Sequence, residues 1–118
     1  MTTNAVAVRL VELLRAGKFE QVYDELFDAE RVQHIEPQSE YFAKVVGVPA
    51  IKEKDAKMAA NIAEFGAMQV GDAIVAGDHF AIPYKMGFTL KDGNAVNLEE
   101  IILYQVQEGK IVLEQFFY

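Results

Sequence analysis

The sequence contains no cysteine. That excludes disulfides, thiol chemistry and cysteine-ligated metals. Ser39 is its only serine, and no G-x-S-x-G is present, which argues against serine-hydrolase chemistry. The two histidines, His34 and His79, stand 45 positions apart with no HxH or HExxH pattern, so neither a metal nor a cofactor is expected. There is no glycine-rich phosphate loop. No apolar run approaches the roughly 20 residues that a membrane span needs. The first residues, MTTNAVAVRL, lack a basic stretch followed by an apolar one; no signal peptide is expected, and the cytoplasm is the default location. Positive charge is scarce too. Eleven Lys and Arg face 18 Asp and Glu, a net charge of -7, which disfavours nucleic acid and anionic membranes as partners.

What remains is a foldable chain. Its 118 residues are 52% hydrophobic and 25% charged, enough for one domain, residues 1–118, with its own core. Thr2, Thr3 or Asn4 can cap a first helix whose apolar residues Val6, Leu10, Leu13 and Leu14 recur at helical spacing until Gly17. A second helix is predicted from Phe19 to about Phe27. Arg31–Glu36 reads as a short strand closed by Pro37. A third helix is predicted from Pro49 to Glu64, with Ile51, Met58 and Ile62 facing inward. Beyond Ala67 the period approaches two, with strands at about 67–76, 79–90, 96–107 and 110–118. Helices first and antiparallel strands after imply an α+β fold.

The last residues, VNLEEIILYQVQEGKIVLEQFFY, carry three terminal aromatics and buried-looking acids. A two-residue turn at Glu108-Gly109 sets Tyr104 against Leu113, Ile102 against Gln115 and Glu100 against Phe117. A three-residue loop at Asp92-Gly93-Asn94 sets Met86 against Glu100 and Tyr84 against Ile102. One face then holds Glu100, Ile102, Tyr104, Leu113, Gln115 and Phe117 and is taken as the inside. The other holds Ile101, Leu103, Phe116 and Tyr118, and its mixed character predicts a homodimer through that face. A bulge at Gly109 would exchange the faces.

Leu13-Leu14-Arg15-Ala16-Gly17-Lys18-Phe19, Ile35-Glu36-Pro37 and Glu108-Gly109-Lys110-Ile111-Val112 occur in the order found in the nuclear transport factor 2-like superfamily. Over nearly its whole length the chain resembles the SnoaL-like and ketosteroid-isomerase-like members of that superfamily. The resemblance implies a cone-shaped α+β barrel, three N-terminal helices packed on a curved antiparallel sheet. In ketosteroid isomerases a carboxylate before a proline in the first strand is the general base, a position that Glu36 fills here. Leu10 stands where those enzymes place a tyrosine donor. Their second acid falls on Ile101 without a gap, or on Glu100 with a one-residue shift. Steroid isomerisation itself is therefore not implied.

His34 and Glu36 are two apart and share one side of a strand, as a proton-moving pair or as a pair on a solvated rim. Glu100 sits among apolar residues, where burial would raise its pKa and suit it to act as an acid. Otherwise it is a structural acid bonded within the protein. The expected catalytic residues are Glu36, His34 and Glu100. Tyr84, Tyr104, Gln115, Met86 and Phe117 are expected to contact a ligand, and Tyr41 to act as a lid. The expected function is binding of a small apolar ligand in the cone, with cofactor-independent acid/base chemistry of isomerase, cyclase or dehydratase type. The alternative is a non-catalytic dimeric module whose cone is filled by side chains.

Overall fold

The structure is a computed structural model that describes residues 1–37 and 43–118; the segment containing Tyr41 lies outside the described residues. Helices α1 (Thr3–Arg15) and α2 (Phe19–Leu26) come first. Strands β1 (Gln33–Ile35) and β2 (Lys44–Val46) follow, then helix α3 (Val48–Ala59). Five strands complete the chain: β3 (Ile62–Val70), β4 (Ile74–Ala76), β5 (His79–Leu90), β6 (Ala95–Gln107) and β7 (Lys110–Phe117). They form one curved, unclosed sheet in the order β2-β1-β7-β6-β5-β3, with β4 also pairing β5. All pairs are antiparallel except β1 with β7, which run parallel.

The side chain of Thr2 caps α1, accepting from the amide of Ala5 at 3.1 Å. The inward stripe of α1, Val6, Leu10, Leu13 and Leu14, is buried against the sheet as its spacing predicts. Leu10 is fully buried in that core. Helix α3 ends at Ala59, five residues before the predicted end, and Ile62 begins β3 opposite Leu90. An alanine-rich run such as Ala59-Ala60-Asn61-Ile62-Ala63 suits a helix locally, but pairing with β5 overrides that propensity.

The predicted strand 67–76 is two strands, β3 and β4, because Pro83 in β5 has no N–H to offer. Gly71 lies at the break, donating its amide to the Pro83 carbonyl at 2.9 Å. A β-carbon there would come within 2.2 Å of the proline ring, so no larger residue fits without movement.

Two registers differ from those expected. The loop between β5 and β6 comprises Lys91-Asp92-Gly93-Asn94, with the Leu90 amide bonded to the Asn94 carbonyl. Relative to expectation, pairing moves by two residues: faces are kept, but Tyr84 lies opposite Glu100, and Met86 opposite Leu98. Between β6 and β7 the turn is the expected Glu108-Gly109, both with positive φ. Val106 pairs with Ile111, but Gln105 pairs with Leu113, so Val112 is an extra residue in β7. This bulge reverses the faces of the rest of β7. Tyr104 now opposes Glu114, and Ile102 opposes Phe116. The expectation that Gln115 and Phe117 line the inside is therefore corrected: Glu114 is buried, and Phe117 is 47% exposed. Phe116 likewise leaves the outer face to which it was assigned.

Candidate functional site

The concave face of the sheet and the helices enclose a cavity of about 770 Å³. Its walls are largely apolar: Leu14, Ile62, Met86, Phe88, Leu98, Ile102 and Phe116 contribute. Phe19, Met58 and Phe65 also border it and are each more than 40% exposed, which places an apolar rim at its opening.

One wall carries a continuous polar chain. Parallel pairing sets His34 on β1 beside Glu114 on β7, and His34 Nδ1 lies 2.7 Å from Glu114 Oε1. The other oxygen of Glu114 accepts from the Tyr104 hydroxyl at 2.9 Å. Tyr104 is itself fixed by stacking on Phe80, with ring centroids 4.9 Å apart. On the far side of the imidazole, Nε2 lies 2.9 Å from Nζ of Lys54. Lys54 also donates to Oε2 of Glu36, and Oε1 of Glu36 accepts from the Tyr118 hydroxyl at 2.9 Å. Tyr118, expected on the outer face, thus turns its hydroxyl to the cavity wall. Phe116 covers the imidazole with centroids 4.9 Å apart.

Lys54 and Asp55 come from the inward face of α3. They share it with Ile51 and Met58 at helical spacing, and Lys54 is only 2% exposed. Asp55 accepts from the Tyr23 hydroxyl of α2. Lys54 was not among the residues singled out from the sequence, and Glu114 stood out there only as an acid in an apolar run on the face taken as outer. The signal for Lys54 was present, since it lies three residues after Ile51 and four before Met58. The signal for Glu114 was hidden by the bulge.

Glu100 stands apart from this chain. It is 9% exposed, and its Oε2 is buried with no hydrogen-bond partner among the described residues. Directly opposite, the Tyr84 hydroxyl meets only sulfur among the described residues, Met68 Sδ at 3.2 Å and Met86 Sδ at 3.5 Å. Burial, and then the charges of Glu36 and Glu114, push Glu100 up to about 7. Tyr84 is pushed up to about 12 by burial and by the charges of Glu100 and Glu114.

Glu36 moves the other way. Burial would raise it, but the hydrogen bond and charge of Lys54, with the hydrogen bond from Tyr118, outweigh that and bring it to about 2. Burial lowers His34, and its bond to Glu114 lifts it to about 9. A fully charged imidazole facing a charged ammonium conflicts with the 2.9 Å contact between Nε2 and Nζ, because one of the two must supply a lone pair. The contact geometry decides: one proton lies between Nε2 and Nζ.

Among the described residues no cluster of three or more acidic or histidine side chains is arranged to hold a metal ion. No helix is long and apolar enough to cross a membrane.

The sequence matches the SnoaL-like domain family over residues 1–118. The chain belongs to the SnoaL-like domain family. A Mesorhizobium loti protein provisionally named a SnoaL-like polyketide cyclase is 29% identical, with each chain covered in full and a TM-score of 0.92. An NTF2-like protein of unknown function from Burkholderia pseudomallei is 19% identical over 100% of this chain and 92% of its own, with a TM-score of 0.78. A Catenulispora acidiphila protein with a ketosteroid-isomerase-like fold, solved with trimethylamine, is 20% identical over 95% and 84%, with a TM-score of 0.74. No functionally curated protein matches.

Within this SnoaL-like chain the structure brings Glu36, His34, Glu100, Tyr84, Tyr104 and Met86 to one cavity. It does not bring Gln115 or Phe117 there. Leu10, aligned with the isomerase tyrosine, lies in the core and not at the cavity wall.

Proposed function

We propose that this SnoaL-like domain binds a small, mainly apolar molecule bearing an oxygen function, and that Glu100 moves a proton on it without a cofactor. The observation that carries this reading is Glu100 itself, a buried acid in the lining of a 770 Å³ cavity whose Oε2 has no hydrogen-bond partner among the described residues. A buried carboxyl with an unsatisfied oxygen is costly in its charged form, which favours the acid form beside the cavity. A pKa of about 7 suits it to donate and accept protons near neutrality. The volume falls in the range of small-molecule sites, and a cone filled by side chains would leave no such space.

Glu36 takes a different role from the one its place before Pro37 suggests. Both its oxygens are engaged, and a carboxylate held at about 2 is too weak a base. It anchors Lys54. The reaction class is that of isomerases, cyclases or dehydratases, in which a proton is moved beside a carbonyl. The polyketide-cyclase name of the Mesorhizobium loti protein is consistent with this class.

The test is a panel of apolar carbonyl compounds added to the protein with labelled glutamate carboxyls and methionine methyls. Binding should shift the methyls of Met58 and Met86, which line the cavity, and move the titration of Glu100. Ordinary titration of Glu100, with no compound shifting those methyls, sinks the reading. We also propose a homodimer through the outer sheet face. Ile101, 54% exposed, and Phe117, 47% exposed, are paired across β6 and β7 and support it, with Leu103 next along β6 on the same face.

A further inference from the structure

We propose that Lys54 is a nucleophile that forms an imine with an aldehyde or ketone held in the cavity, activated by the Glu114–His34 pair. The inference rests on the cavity-binding reading above and deepens it by naming the substrate class.

The geometry is that of a carboxylate, an imidazole and a nucleophile in line. Glu114 holds Nδ1 at 2.7 Å, so the ring proton sits there and the Nε2 lone pair faces Nζ of Lys54 at 2.9 Å. Glu114 is itself held by Tyr104, and the ring by Phe116. A lysine needed only as counter-ion for Glu36 has no use for an imidazole lone pair; one that must shed a proton before attacking carbon does. Lys54 lines the cavity on a regular helix, with the apolar walls that a carbonyl compound's body would occupy. Among the described residues, the carboxylates beside it are Glu36, bonded to Nζ, and Asp55, whose carboxyl accepts from Tyr23. Glu100 borders the same cavity.

The steps balance without a further reactant. Nζ passes one proton to Nε2, and the resulting imidazolium is held by Glu114. The Nζ lone pair bonds to the carbonyl carbon, and the C=O electrons move to oxygen. Glu100 in its acid form protonates that oxygen, then takes back a second proton from Nζ. The imidazolium protonates the hydroxyl, the C–O bond breaks, and the nitrogen lone pair forms C=N. Ammonium plus carbonyl thus gives iminium plus water, with His34 and Glu100 restored.

The probe is cuminaldehyde with cyanoborohydride, which reduces an imine to a stable secondary amine. Cumin alcohol, which cannot form an imine, reports cavity binding alone. The expected result at neutral pH is one adduct, with the mass of the aldehyde less one oxygen, mapped to Lys54 ahead of the surface lysines. Lys54→Arg keeps the charge opposite Glu36 and should lose the adduct while its far-ultraviolet circular dichroism stays that of the folded protein. His34→Gln should slow labelling at saturating aldehyde by about 100-fold. Binding of the alcohol, with labelling absent at Lys54 or merely shared among surface lysines, overturns the imine proposal and leaves the binding reading standing. Failure of both probes overturns both. An unchanged labelling rate in His34→Gln overturns the role given to His34.

Discussion

Glu36 and Glu100 border one cavity, yet their proton affinities move in opposite directions because their partners differ. Both oxygens of Glu36 accept hydrogen bonds, from Lys54 and Tyr118, whereas Oε2 of Glu100 accepts none among the described residues. The two acids should therefore shape stability against pH in opposite ways. Glu100 is raised from 4.5 to about 7. The folded state holds its proton more tightly than the unfolded chain, so its contribution is intact below about 4.5 and is lost as pH rises to about 7. Glu100→Gln should remove that loss and stabilise the protein above pH 7 by on the order of 1 kcal/mol, read by denaturant unfolding at several pH values. Glu36 is lowered from 4.5 to about 2, so its contribution is present above about 4.5 and is lost as pH falls towards 2. Glu36→Gln should cost about 3 kcal/mol at neutral pH by leaving Lys54 buried without its carboxylate. Glu114→Gln should lower the proton affinity of His34, seen by NMR titration of the imidazole, because the carboxylate on Nδ1 is gone. In the sequence Glu100 was legible as an acid in an apolar run, and Glu36 as the carboxylate before Pro37, two residues from His34. Their division of roles was not, because it depends on Lys54 and Tyr118, 18 and 82 residues away from Glu36.

At the scale of elements, one extra residue decides which side chains reach the site. Without the bulge at Val112, strict alternation from the Glu108-Gly109 turn would put Leu113, Gln115 and Phe117 inside. With it, Glu114 and Phe116 point inward. Nothing in the local pattern Ile111-Val112-Leu113 marks a bulge, since all three are good strand residues; the pairing with β6 and β1 selects it. The assignment has a direct consequence. Phe116→Ala should cost about 3 kcal/mol, since it removes a ring from the His34 wall, while Phe117→Ala should cost well under that in the monomer. Equal losses in chemical unfolding of dilute protein would contradict the register. Helix α3 shows the opposite balance. Its true end was obscured by helix-compatible residues, yet its inward face of Ile51, Lys54, Asp55 and Met58 follows from spacing alone.

For the molecule as a whole, one sheet serves two surfaces. Its concave side bears the cavity, and its outer side leaves Ile101 and Phe117 exposed. If that outer side joins two copies, sedimentation at micromolar concentration should give twice the 13.2 kDa of one chain, and Ile101→Lys with Phe117→Lys should give the monomer. A 13.2 kDa species of the unaltered protein would refute the dimer. The amino-acid sequence by itself determined the class of fold, the stripe of α1, the Glu108-Gly109 turn, and the alternation that turns Tyr84, Glu100, Ile102 and Tyr104 to one side. These follow from periodicity and turn chemistry, which act over a few neighbours. Only the tertiary structure decided that Glu114 and Lys54 flank His34, that Glu36 is tied down, and that Glu100 keeps an oxygen without a partner among the described residues. Each depends on parallel pairing of β1 with β7, on the bulge, and on α3 lying over the sheet. Such contacts join residues 20 to 80 positions apart, and side chains that distant meet only when packing brings them together.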